Sequence, residues 1–235
     1  MTGSRFGDYL QRQTVMKSHS KLSALTLGLL LAAGAPVVLA HDAPHAATHA
    51  ASASAATAPQ LHAALRSLWH GHLVATHDYA LAVHSGNTAN EKKAADAVVA
   101  NAKEIANAVA GFYGKDAGDG LLKLLAGHWT AVKAITDTVK AGDSAGENKA
   151  MTEALDNGGA IAKFLAGANP NWTEGALQGA LAMHVNDHKL QIEQMMSNAS
   201  AAEQAKSWTE MQHHMDMIAD TLSDGIAKQF PDKAK

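Results

Sequence analysis

Laid against itself at a shift of 56 residues, the chain brings Leu65, Leu121 and Leu177 into register, and with them His72, His128 and His184. Asn101 then falls on Asn157, Ile105 on Ile161, Ala106 on Ala162 and Gly111 on Gly167. A match over several residue types at a fixed period marks a repeated supersecondary unit. The apolar spacing inside the unit says what it is. Leu121, Leu125, His128, Val132, Ile135 and Val139 recur every three or four residues, the period of a helix that buries one face. Gly86 with Asn87, Gly114, Gly142, and Asn169-Pro170 with Asn171 interrupt these stripes. The reading is an all-α bundle of about six helices, built as three pseudo-repeated helical hairpins. Aromatic residues at 5% and abundant alanine agree with closely packed helices, because sheets draw on β-branched and aromatic side chains.

The helices are expected near 61–84, 91–112, 117–141, 147–167, 173–198 and 203–229, within a bundle domain spanning 61–235. Two segments precede it. In residues 1–40, Lys17 and Lys21 lead into the apolar run Leu22–Leu31, and Val38-Leu39-Ala40 offers the small residues of a cleavage site. That is the pattern of an export signal, with Met16 as the expected true start and an uncleaved anchor as the alternative. Residues 41–60 are rich in Ala, Ser, Thr and Pro, without large apolar side chains, and are expected to be a disordered tail. Its His41, His45 and His49 read either as an incidental feature of a linker or as a metal-capturing terminus. The export signal places the protein in the periplasm or outside the cell, with no membrane attachment after cleavage.

The chain has 14 histidines and no cysteine. Without cysteine there are no disulfides, thiolate zinc sites, iron–sulfur clusters, covalent haem links or cysteine nucleophiles. A formal net charge of −3, with Arg66 the sole arginine after residue 40, leaves no footprint for nucleic acid. No phosphate-binding glycine loop or nucleophile elbow occurs.

Helical periodicity sorts the histidines. His72 lies in the stripe of Leu61, Leu65, Leu68, Tyr79 and Val83, and His128 in the middle of its own. Leu177, Leu181, His184, His188 and Met195 put two imidazoles one turn apart on one buried face. In the last helix an inserted residue aligns His214 with Asn157, at the edge of the stripe Met211, Met215, Ile218, Leu222 and Ile226. His70, His77, His84 and His213 fall off the stripes and are expected to face solvent.

Buried imidazoles need partners. One reading is structural: His72 with Asn101, and His128 with Asn157, hydrogen-bonding across each hairpin and fixing its register. The third hairpin departs from this, since it carries His184, His188 and His214, with Met183, Met211 and Met215 nearby. That is a ligand set for a transition metal: copper first, because imidazole and thioether suit it in an oxidising compartment, and zinc or iron next. His72 and His128 would complete the coordination. The alternatives are a haem- or iron-dependent redox or oxygen-binding bundle on the same histidines, and a structural or partner-binding bundle without metal. Ferritin-like di-iron sites require Glu-x-x-His motifs, and none is present. The spacing of His184 and His188 resembles one helix of hemerythrin-like bundles, but Val132 and Ala219 stand where that pattern has carboxylates.

Several segments resemble a family of bacterial helical-bundle proteins of unestablished activity. They are Trp69-x-x-His72, Asn101 with Ile105 and Phe112-Tyr113-Gly114, Leu124-Leu125 with His128, Asn157 with Ile161-Ala162 and Phe164-Leu165, Asn169-Pro170-x-Trp172, and Ala219-Asp220 with Gly225-Ile226 and Gln229-Phe230-Pro231. They spread over nearly all of 61–231. Members are often cytosolic and carry an aromatic near Ala75 and an arginine near His77, which this chain lacks. The resemblance implies a helical bundle with a polar core and transfers no catalytic role.

Overall fold

The structure, a computed structural model, describes residues 58–234, and every regular element among them is a helix. They are α1 (Pro59–Ser85), α2 (Thr88–Tyr113), α3 (Lys115–Ala141), α4 (Ser144–Ala168), α5 (Glu174–Met196) and α6 (Ala201–Gln229). The export-signal reading of 1–40 and all but the last three residues of the 41–60 tail lie outside the described residues. Of those three, Pro59 and Gln60 already belong to α1, because proline suits a first helical turn, where its missing N–H costs nothing.

The linkers are too short for anything but antiparallel neighbours. α1 passes to α2 through Gly86 and Asn87, and α3 to α4 through Gly142 and Asp143. In each pair the glycine takes a left-handed conformation (φ 70° and 68°) and the next side chain caps the following helix, Asn87 on the Asn90 N–H and Asp143 on the Gly146 N–H. Gly114 alone joins α2 to α3, at φ 89° and ψ 168°, a conformation that side chains exclude. Ser200 and Glu203 close α6 with a capping box. These caps explain why α2 and α4 start three residues earlier than their apolar stripes.

Each helix packs on its neighbours in chain order, and α6 returns to α1 to close the ring. α1, α3 and α5 also contact one another pairwise. They therefore form an inner triad of helices running the same way, while α2, α4 and α6 lie in the three outer grooves. The closing seam is charged. Arg66 of α1 donates its Nε–H to Asp220 of α6 at 2.8 Å, His62 lies between Asp220 (2.9 Å) and Asp224 (3.0 Å), and His70 faces Asp216 at 3.0 Å. At one end, Asn169 donates to the Tyr113 hydroxyl, which donates to Gln229, whose amide donates to the Ala168 carbonyl. The Trp172 indole lies against Gly225, where any side chain would collide, and donates to the Thr221 carbonyl at 3.1 Å. The Asn169 to Trp172 turn and the Gln229 terminus thus tie α2, α4 and α6 together. No helix among the described residues is long and apolar enough to cross a membrane.

Candidate metal centre

The inner helices carry the core in layers. Toward their N-terminal ends, Leu65 and Trp69, Leu121 and Leu125, and Leu177 and Leu181 join one apolar cluster. Toward their C-terminal ends, Ala80, Val132, Ile135, Ile192 and Met195 belong to a second. Between the two sit His72 of α1, His128 of α3, and His184 and His188 of α5, with 5%, 5%, 2% and 1% of their surface exposed. A fully polar layer between two apolar ones costs stability unless its groups find partners.

They find few within the protein. The Nε2 atoms of His184 and His188 lie 3.1 Å apart, and those of His188 and His72 3.3 Å apart. Both ring nitrogens of His128 and the Nδ1 of His184 have no hydrogen-bond partner. The rings of His128 and His184 stack with centroids 5.8 Å apart. Each of the four histidines offers a nitrogen, and the four nitrogens lie within 4.8 Å of one another. A tetrahedral ion with metal–nitrogen bonds of about 2.0–2.1 Å holds its ligands about 3.3–3.4 Å apart. The His188–His72 contact, at 3.3 Å, has that length, and the His184–His188 contact, at 3.1 Å, is slightly shorter. The buried four-histidine group can hold a metal ion.

Burial keeps these imidazoles neutral, the form that ligates. Loss of hydration pushes His72 down to about 3, helped by nearby His128. It pushes His128 down to about 4, with Asn157 opposing slightly. His184 and His188 are driven well below the ordinary histidine value, first by burial and then by the neighbouring imidazoles.

The asparagines behave differently from the expected hydrogen-bonded pairs. Asn101 Nδ2 donates to the Leu68 carbonyl at 2.9 Å and Asn157 Nδ2 to the Leu124 carbonyl at 3.1 Å. Each carbonyl belongs to the residue four before a core histidine. The amides reach it because Gly71 and Gly127 lack a Cβ, which would stand 2.9 Å from each amide nitrogen. The Oδ1 of each asparagine is left buried without a donor. Asn157 lies near enough to favour a protonated His128, but the alignment is not that of a hydrogen bond. A metal-bound imidazole donates its remaining N–H to a neighbouring acceptor, and the unpartnered Asn157 Oδ1 is an acceptor of that kind near His128.

A comparison with family models, curated proteins and solved structures finds no match to this chain.

Of the five histidines proposed as ligands, His72, His128, His184 and His188 converge, and His214 does not join them. It is half-buried and bonded through Nδ1 to Asp187 Oδ2 at 2.7 Å. Its place at the edge of the α6 stripe turns it toward this carboxylate on α5 instead of the bundle axis. Met211 and Met215 pack in the first apolar cluster. Among the off-stripe histidines, His213 is exposed as expected. His70, His77 and His84 are half-buried, His77 with its ring 5.1 Å from that of Trp208. A cavity of about 30 Å³ among Leu65, Trp69, Leu121, Leu181 and Ile218 adjoins the histidine layer through Trp69.

Proposed function

We infer that this protein binds one transition-metal ion in the centre of the bundle through His72, His128, His184 and His188, and serves metal handling or storage, with copper the first choice and zinc or iron next. The observation that carries the reading is the set of four buried imidazoles with nitrogen contacts of 3.1 and 3.3 Å and orphaned ring atoms. A bundle that needed only stability would fill this layer with apolar side chains.

Charge supports copper in its reduced state. The four ligands are neutral, and no carboxylate belongs to the group. The cost of burying an ion rises with the square of its charge, so a monovalent ion in an all-imidazole site suffers about a quarter of the penalty of a divalent one. Four ligands from three helices leave no open position in a tetrahedral site, which favours holding an ion over catalysis. Export follows from the N-terminal segment: a periplasmic or secreted protein would meet copper without competing cytosolic thiols.

The test is metal content. The purified full chain is loaded separately with Cu(I), Zn(II) and Fe(II), dialysed against a weak chelator and assayed. One equivalent of copper retained by the wild type, and none by the folded His184→Ala/His188→Ala variant, is the expected result. No ion retained at any stoichiometry would leave a structural bundle with unsatisfied core histidines.

A further inference from the structure

The four imidazoles are closed off from solvent on every side, so an ion that rests there must be handed in. We propose that His214 and Asp187 form the admission point, a solvent-touching ligand pair that takes the ion first and passes it to His184 and His188. The proposal rests on the reading of the four-histidine group as a metal site and concerns how that site is filled.

Three observations carry it. Asp187 precedes His188 directly and follows His184 by three residues, so it stands on the same stretch of α5 as both buried ligands. Its Oδ2 accepts the Nδ1 proton of His214 at 2.7 Å. That hydrogen bond leaves the lone pair on Nε2, the tautomer a metal ion requires, and the carboxylate behind the ring fixes its orientation. Finally, the pair spans the boundary: the His214 side chain is 25% exposed and that of Asp187 15%, against 1–5% for the four buried residues. The negative charge of Asp187 serves the same step, since it attracts a cation that the neutral cluster cannot.

A histidine at the admission point sets the rate of filling, whereas a resident ligand sets the affinity. Rapid mixing of the ion-free full chain with Zn(II) or Cu(I), each delivered from a chromophoric chelator, separates the two. His214→Ala should slow uptake tenfold or more, slow release by a similar factor, and leave one ion bound with a Kd within threefold of the wild type. Asp187→Asn should slow uptake by a smaller factor, and His213→Ala, on the neighbouring exposed position, not at all. His214→Gln keeps the bulk of the side chain and serves if the alanine variant melts early. Equal uptake rates for wild type and His214→Ala would overturn the admission role and leave the site intact. Loss of the bound ion from a folded His214→Ala would overturn it too, by making His214 a resident ligand. A wild type that takes up neither ion would overturn the site itself, and the admission role with it.

Discussion

Asn101 on α2 hydrogen-bonds the carbonyl of Leu68 on α1 at 2.9 Å across a notch left by Gly71. Asn157 and Leu124 repeat the arrangement 56 residues later, across Gly127. Filling the notch should displace the amide. Gly71→Ala would gain up to about 1 kcal/mol of helix propensity, but expelling a buried amide from its partner costs about 1–3 kcal/mol. Chemical denaturation should therefore show Gly71→Ala destabilised or neutral in the wild type and stabilising in an Asn101→Ala background. Stabilisation in both backgrounds would mean that the notch does not hold the asparagine.

His128 is the histidine whose removal strands nothing, since neither ring nitrogen has a protein partner. His128→Leu should leave the ion-free protein as stable as the wild type, or more stable by about 1–3 kcal/mol, the cost of an unsatisfied buried polar group. The same substitution should weaken ion retention at least tenfold. A large loss of ion-free stability would assign His128 a structural role instead.

Acid should unfold the ion-free protein early. An unfolded chain protonates its histidines below about pH 6.5, whereas burial holds His72 to about 3 and His128 to about 4, with His184 and His188 also far below the ordinary value. The unfolded state then binds more protons between about pH 6.5 and 4, so stability falls as pH falls, by up to about 1.4 kcal/mol per pH unit for each histidine. The melting temperature should drop by at least about 10 °C from pH 7.5 to 5, and His128→Leu should reduce the slope. A flat profile would contradict the neutral, buried state of these rings.

The charged seam between α1 and α6 should matter modestly. Arg66 is half exposed, so Arg66→Ala should cost under about 1 kcal/mol and less in high salt. Asp220→Ala releases both Arg66 and the more buried His62, and should cost about 1–2 kcal/mol in thermal or chemical unfolding. Equal costs would remove His62 from the seam.

Much of this was readable in the chain because helical periodicity is a strong signal. His72, His128, His184 and His188 sit mid-stripe, and a mid-stripe residue has nowhere to point but inward. His214 was harder, because a stripe edge can face either the axis or a flanking helix, and only the presence of Asp187 on α5 decides it. The asparagines bond a backbone carbonyl instead of the expected histidine: nothing in the local pattern shows that Gly71 and Gly127 open a route to it. Helix starts at Thr88 and Ser144 came from caps rather than from apolar spacing, although Asn87, Asp143 and the Ser200-x-x-Glu203 box carry a local sequence signature. How the helices surround one another was beyond periodicity, since a hairpin with one apolar face packs as well in several orders. The inner triad becomes visible once α6 is seen to close on α1.

The central claim is that four imidazoles on α1, α3 and α5 hold one ion. X-ray absorption at the edge of the bound metal, on the loaded full chain, tests it most directly. The expected result is a shell of four nitrogen ligands at about 2.0–2.1 Å with the outer-shell pattern of imidazole rings, reduced to three or fewer in His128→Leu. A shell dominated by oxygen or sulfur, or one unchanged in that variant, would place the ion elsewhere and contradict the account.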